Sequence, residues 1–440
     1  MRTASRTTFV AALIATQVAT AGGFDTPVLY SARHMGMGGT GVSWVYDPTA
    51  LYMNPAGIGN TEFITLHLDL SPIIASIEAI PEKDTEAKAG PAVLVPFLFG
   101  SSFRIWKYLT FGIGAYPVAS ASGGYKYDSK LSKDADGTPL EVTDETTIRF
   151  IEISPALAFN YKDILNVGVG YRLTLAQLKR FKETEGATSP FFDFDASGWD
   201  FAGVRAGIQY RPIKYFSVGV NYRHKIEPVA EADSGTLIAA VEDIKYPLVL
   251  PSRLSFGFRA DVPLPIGSLG ISTDAEYGFQ SQNDTSVATY VLGGKESSLN
   301  VPFKWKDAWT VRWGAELSFL ESWAARVGFV WDQETSNRSF SSAFGTPPAD
   351  TWSYTLGGGY KAKSWEVNLA YAYRSGGTTI TQEDVDARDP DGKDGPEKAI
   401  TCLTCSFPGE HQIALHGIYV DFSWYFDMPS AIANWSRTAD

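Results

Sequence analysis

From residue 62 onward the chain alternates apolar and polar side chains in one stretch after another. In residues 62–71, Ile64, Leu66, Leu68 and Leu70 share one face and Thr65, His67 and Asp69 the other, the two-residue period of a strand. The same period runs through residues 91–105, 109–119, 146–161, 166–178, 200–211, 215–224, 252–261, 268–280, 308–319, 323–332, 352–361, 365–374 and 412–426. That predicts about fourteen crossings, an even number, as single-chain bacterial barrels have. The connections alternate as well. Tight turns such as Lys107-Tyr108 and residues 162–165 take turns with long polar loops such as residues 120–144. Outer-membrane barrels show this asymmetry, with short periplasmic turns and long loops outside.

Charge placement tests the assignment, because Arg or Lys on the lipid face at mid-membrane costs about 2–4 kcal/mol. Leu254, Phe256 and Phe258 oppose Arg253 and Arg259; Trp313 and Leu317 oppose Arg312 and Glu316; Val367, Leu369 and Tyr371 oppose Glu366, Asn368 and Arg374. Charges keep to one side, which is the expected lumen. Arg205, Arg223 and Arg326 fall on that side too, and most of these cations are expected to pair with Asp274, Glu276, Glu316 or Glu366. A soluble β-sandwich also alternates, but it has no need of loops long at one end and short at the other.

Mean hydropathy is only -0.09, and beyond the amino terminus no run approaches the roughly 20 residues of a spanning helix. A transmembrane barrel escapes that measure, since only alternate residues meet lipid. The 12 Trp, 21 Tyr and 26 Phe suit two interfacial girdles, and Trp323, Trp352 and Trp365 stand at strand ends. A net charge of -12 argues against nucleic acid or an anionic lipid surface as partner. Residues 1–21 read as a secretory signal, with Arg2 and Arg6, an apolar core over residues 9–15 and Ala19-Thr20-Ala21 for cleavage; an uncleaved anchor is the alternative. Cys402 and Cys405 form C-x-x-C in a polar loop, which suits a local disulfide or two idle thiols better than redox or metal chemistry.

Between signal and strands lies a Gly- and Pro-rich segment, residues 22–60, which cannot form a long helix or a central strand and must be held by what surrounds it. It contains Gly36-Met37-Gly38-Gly39-Thr40-Gly41 and Asp47-Pro48-Thr49-Ala50-Leu51-Tyr52-Met53-Asn54-Pro55-Ala56-Gly57. With Gly23-Phe24 before it, and 153–158, 250–254, 326–332 and 369–374 in order after it, the chain resembles the FadL family of outer-membrane transporters for long-chain fatty acids and other hydrophobic compounds. Secretion-shuttle barrels of the type IX kind carry a similar Asp-Pro…Asn-Pro-Ala-Gly stretch and supply an alternative, a non-transport scaffold.

The resemblance implies an all-β transmembrane antiparallel barrel over residues 61–426 with residues 22–60 as a hatch inside the lumen, its Phe24, Asp47, Pro48, Asn54, Pro55 and Ala56 belonging to the hatch. It implies capture at outer loops, hatch movement and lateral release. Burying a twelve-carbon chain contributes on the order of 10 kcal/mol before entropy costs, ample for capture. Capture candidates are Phe191, Phe192 and Phe194 in one loop and Leu237 and Ile238 in the next. A lateral window needs a break in a wall whose backbone is otherwise fully paired; Pro117 with Gly112 and Gly114, and Pro155 on the neighbouring strand, are the candidates. Expected partners are the outer-membrane bilayer, a hydrophobic ligand and the barrel-insertion machinery, with a monomer sufficient and no cofactor. Phe426 can serve as the terminal aromatic, although residues 427–440 follow as an extension. A barrel hydrolase is the remaining alternative. Its nearest approach to a base and orienter is His67 with Asp69, and no nucleophile motif accompanies them.

Overall fold

The computed structural model describes residues 31–343, 347–388 and 405–427. The signal, Phe24, Cys402 and residues 428–440 lie outside the described residues.

Among the described residues twenty strands run in chain order: β1 (Ile64–Leu70), β2 (Ile73–Glu82), β3 (Thr85–Leu94), β4 (Phe97–Trp106), β5 (Leu109–Lys133), β6 (Pro139–Tyr161), β7 (Leu165–Thr184), β8 (Phe192–Ile213), β9 (Phe216–Arg223) and β10 (Val229–Leu237). They continue as β11 (Ala239–Pro247), β12 (Arg253–Leu264), β13 (Gly267–Gly278), β14 (Thr285–Leu292), β15 (Lys295–Pro302), β16 (Ala308–Phe319), β17 (Trp323–Asp332), β18 (Thr351–Lys361), β19 (Trp365–Ile380) and β20 (Gly409–Phe426). Fourteen of them close an antiparallel ring: β1, β4 to β9, β12, β13, β16 to β20, then back to β1 with Phe426 opposite Ile64. Each of the fourteen expected crossings falls on one ring strand. No helix among the described residues is long and apolar enough to cross a membrane; the crossing is made by strands.

The remaining strands extend this ring outward. β2 keeps the register of β1 against β20, Leu70 opposite Val420 and Ile73 opposite Gly417, so β1 and β2 are one crossing interrupted at Pro72. β3 and β4 are likewise one crossing interrupted at Pro96. Each proline lacks a ladder donor and breaks the strand without ending it. β10–β11 and β14–β15 are hairpins that add to β8 and to each other above the ring.

Several expected loops are therefore strands. Residues 120–144 are the paired upper ends of β5 and β6, with Tyr125 opposite Asp144 and a short turn after Lys133. The polar stretch through Lys88 is the β2–β3 hairpin, and residues 91–105 divide at Pro96. Polar composition hid these extensions because above the bilayer their outer face meets water, so the oily half of the alternation is missing there. Cys405 is disulfide-bonded, which removes the idle-thiol reading.

Outward faces match the expected lipid contact: Leu68, Leu70, Phe258, Val327, Leu356, Leu369 and Val420 are all exposed. Trp323 and Trp331 are eight residues apart on the outward face of β17, about 26 Å of strand, against an apolar band roughly 25 Å tall. Around them Trp323, Tyr360 and Trp365 form one girdle, with centroids 4.9 and 5.4 Å apart, and Tyr277, Trp309, Trp331 and Trp352 lie in the other.

Candidate functional site: a plugged bore

Residues 31–60 lie within the ring. A four-residue helix, α1 (Ala32–Met35), packs on β18, β19 and β20, while the 3-10 turn Pro55–Asn60 packs on β5 to β8 across the bore. A second short helix, α2 (Ala50–Met53), links them. The segment is almost wholly buried. Its Asp-Pro-Thr and Asn-Pro-Ala sequences are local folding devices. Asp47 Oδ1 accepts the Thr49 backbone N–H (2.8 Å) and opens α2. Asn54 Oδ1 accepts the Ala56 N–H (3.1 Å) and opens the 3-10 turn, where Pro55 needs no donor.

Two sets of contacts tie this segment to the wall. The first is steric. Gly168, Gly207, Gly219, Gly314 and Gly328 point inward, and a Cβ on any of them would overlap the plug at Ala56 N, the Asn54 side chain, Val42 O, Met37 or Gly38 N respectively. Pro48 sits on Gly100 and Leu51 on Gly114, so the plug's backbone lies directly on bare strand backbone along a belt of glycines. Asn54 exploits that closeness: its Nδ2 donates to Val42 O (2.7 Å), Ile208 O (3.2 Å) and Val220 O (3.3 Å), two of them wall carbonyls.

The second set is electrostatic. Asp274 Oδ2 accepts the N–H groups of Gly41 (2.7 Å) and Val42 (3.0 Å), and Asp421 Oδ2 accepts Ser31 Oγ–H (2.8 Å) and Arg33 N–H (3.0 Å). Arg33 reaches Glu316 (3.2 Å), which also holds Arg259 (2.9 Å) and Arg326 (2.7 Å). Glu276 holds Arg253 (2.6 Å) and Arg312 (3.3 Å). Glu152 joins Arg172 (2.7 Å), Arg205 (3.5 Å) and the Tyr116 hydroxyl (2.7 Å), and Arg205 continues to Tyr52 O (2.7 Å). The inward cations expected from the alternation are thus inward, and Glu276 and Glu316 pair with them. Asp274 binds plug backbone instead, and Arg374 pairs with Asp332 at 2.5 Å.

At the periplasmic end two aromatic rings close the plug. Tyr46 lies between the Arg33 guanidinium (3.9 Å to the centroid) and the Lys361 ammonium (4.2 Å), with its hydroxyl on Glu366 (3.2 Å), and Trp44 lies under Arg211 (4.2 Å). Cation–π contacts of this kind contribute about 0.5–2 kcal/mol each. Trp44→Ala combined with Tyr46→Ala is expected to speed limited proteolysis of residues 31–60 in the assembled barrel. Unchanged protection would exclude the two rings as fasteners.

Above the plug the inward faces of the bore turn apolar. Ile73, Ala75, Ile77, Ala372, Ile413 and Leu415 line it on one side and Phe150, Ala176 and Leu178 on the other, all buried. The charged belt therefore lies beneath an apolar upper section of the bore, the upper chamber. Phe192 and Phe194 belong to this chamber as buried residues of β8, not of a loop. Phe191 and Ile238 stay exposed at the rim, and the structure brings the two candidate groups together: Leu237 pairs with Phe192, and the Ile238 N–H donates to Phe191 O (2.7 Å).

The wall is imperfect beside Tyr116. The β4–β5 ladder runs up to Phe99 opposite Ala115, just below Pro96 and Pro117, and above it β3 takes the place of β4 beside β5. β5 bulges against β6 between Pro117 and Ala119. Around Pro155 the β6–β7 pairing skips from Ile153–Leu173 to Ala156–Gly170. On the outward side there an apolar depression of ≈ 610 Å³ is lined by Phe111, Pro155, Leu157, Val169 and Tyr222, and it reaches Arg205. Gly112 and Gly114, expected to weaken this wall, serve as seats for Leu51 and Ile58.

His67 and Asp69 do not form a base and its orienter. His67 Nδ1 meets Ser423 Oγ (2.8 Å), while Asp69 accepts the Ser31 N–H (3.2 Å). Ser423 and His67 are both buried within the bore. Among the described residues no cluster of His, Cys, Asp and Glu is arranged to hold a metal.

A family model described as "Outer membrane protein transport protein (OMPP1/FadL/TodX)" matches residues 11–399. Among solved structures, a FadL homologue of Pseudomonas aeruginosa superposes with a TM-score of 0.71 at 14% identity, over 92% of this chain and 100% of that one. The P. putida toluene transporter TodX gives 0.66 at 16% identity, over 92% and 100%. The Ralstonia pickettii toluene transporter TbuX gives 0.62 at 18% identity, over 90% and 98%. A search of curated proteins finds no match.

Proposed function

Because the chain belongs to the FadL/TodX family of outer-membrane transport proteins, we propose that it carries hydrophobic compounds, long-chain fatty acids or aromatic hydrocarbons, inward across the outer membrane. The observation that carries this reading is the apolar inward face of the upper bore standing directly above a charged, plugged floor. An apolar solute gains about 0.8 kcal/mol per buried methylene on leaving water for such a chamber, and the buried ion pairs below give it nothing to bind. Its way out is sideways or through a displaced plug.

Capture starts at the exposed rim of Phe191 and Ile238, passes to Phe192 and Phe194, and ends in the chamber. Residues 22–60 act as the hatch. Release into the membrane uses the seam at Pro117 and Pro155, where the bulge in β5 and two prolines that cannot donate to the ladder lower the cost of parting strands at membrane depth and the outward depression offers an apolar landing. Similar solved structures are described as toluene transporters and monoaromatic hydrocarbon channels, which makes toluene a probe of equal standing with oleate.

Cells with and without the protein should differ in uptake of labelled oleate or toluene. Equal uptake of both sinks the transport reading. Pro117→Ala with Pro155→Ala should lower that uptake severalfold while the barrel assembles normally, since restored donors allow the ladder to close; unchanged uptake would remove the window alone.

A further inference from the structure

The outer wall carries a polar groove that lies off the transport path. It is ≈ 520 Å³ in volume and is lined by Ser76 and Glu78 of β2, Lys88 of β3, Tyr373, Ser375 and Thr379 of β19, and Glu410 and Gln412 of β20. Gly377, whose missing side chain would meet Gln412, helps to make it concave. Directly below, the same strands expose Ile74, Leu369, Ile418 and Val420. The groove therefore begins where the hydrocarbon of the outer leaflet ends, at an aromatic sill in which Tyr371 and Tyr373 flank His416, the first by a 2.8 Å hydrogen bond to Nδ1 and the second at 5.0 Å between ring centroids.

We propose that this groove binds the saccharide headgroup of an outer-leaflet glycolipid. Its position decides the occupant, because anything resting there has its apolar part in the lipid beneath. The lining decides the headgroup. Serine and threonine hydroxyls, the Gln412 amide and the Glu410 carboxylate offer both donors and acceptors, as the many hydroxyls of a sugar require, and the Tyr373 ring presents a face for its C–H edge. Lys88 is paired with Glu78, and Glu410 leaves the lining net negative, so recognition falls to the hydroxyls and amide and not to a phosphate. A phospholipid headgroup leaves this hydroxyl-rich wall unmatched. A free sugar lacks the acyl chains that would hold it at the sill.

The full chain in neutral detergent is incubated with lipopolysaccharide bearing its core oligosaccharide, with lipid A, and with phosphatidylglycerol, and retained lipid is read by native mass spectrometry. The core-bearing lipid is expected to bind about tenfold more tightly than the other two, a difference of about 1.4 kcal/mol. Ser375→Ala with Gln412→Ala should abolish that preference, and Thr379→Trp, which fills the groove from the facing strand, should do the same. Both changes point outward and leave the plugged bore untouched, so hydrocarbon uptake should persist. Equal retention of the three lipids by the unaltered chain, or an unaltered preference in both variants, overturns the proposal.

Discussion

Gly207→Leu combined with Gly219→Leu is expected to give a barrel that assembles but stands open. Both glycines face the bore, where added side chains would overlap Asn54 and the Val42 carbonyl. Overpacking costs about 1–3 kcal/mol per site, and here it falls on the two strands from which Asn54 takes its wall bonds, each worth about 1 kcal/mol. The ring itself has little reason to suffer, because its ladder is untouched and an emptied lumen can take two leucines. Purified into planar bilayers, the double variant should conduct ions where the parent is closed, and a protease added from the periplasmic side should cut within residues 31–60. Gly358→Leu is the control, since a Cβ there meets only Ala324 O at 3.6 Å. A double variant that assembles yet stays closed and protected would show that the plug is held without the glycine belt.

Glu152→Leu is expected to have the largest effect on stability of any single change. Glu152 and Arg172 are fully buried with their side chains inaccessible, and Arg205 and Tyr116 share the same carboxylate. Removing one partner leaves two guanidinium groups uncompensated, which costs about 3–5 kcal/mol, mostly from the charge left behind and not from the net worth of the pair. The loss would appear as a lower urea midpoint for unfolding from vesicles, and as heat-induced mobility change in gels at lower temperature. Arg172→Met added to Glu152→Leu should recover part of it, because the uncompensated charge is halved. Glu152→Leu with a parental midpoint would mean that water or rearranged side chains replace the carboxylate.

The ring strands were legible because each membrane crossing has lipid on one side and charge on the other, so Leu254, Phe256 and Phe258 declare their face without reference to a neighbour. Above the bilayer that contrast disappears. Residues 120–133 have water outside and the chamber inside, and β5 continues through them with no oily outward row to mark it. A segment that must be held by its surroundings is legible in Asp47-Pro48 and Asn54-Pro55-Ala56, but what seats it within the ring is not. A glycine on a strand reads as a weak point, whereas Gly114 and Gly207 are bare because another chain segment lies against them, a fact of tertiary proximity that periodicity cannot carry. Arg33 and Arg172 escaped notice for the same reason. Their partners, Glu316 and Glu152, are far away in sequence or on a face whose depth only the closed ring defines.

β5 runs for 25 residues, while a tilted crossing uses only about 9–11, so roughly 50 Å of strand stands clear of the bilayer. β6, β7 and β8 rise with it, whereas β16, β17 and β18 stop after 12, 10 and 11 residues. The mouth is therefore a cowl, high on one flank and low on the other. Bacterial surfaces are thick with hydrated polysaccharide through which greasy molecules diffuse singly and seldom. If the proposed transport holds, a lopsided scoop bearing Phe191 and Ile238 would meet them within that layer, before they reach the lipid, and would turn a rare encounter at a flat pore into a sweep through depth.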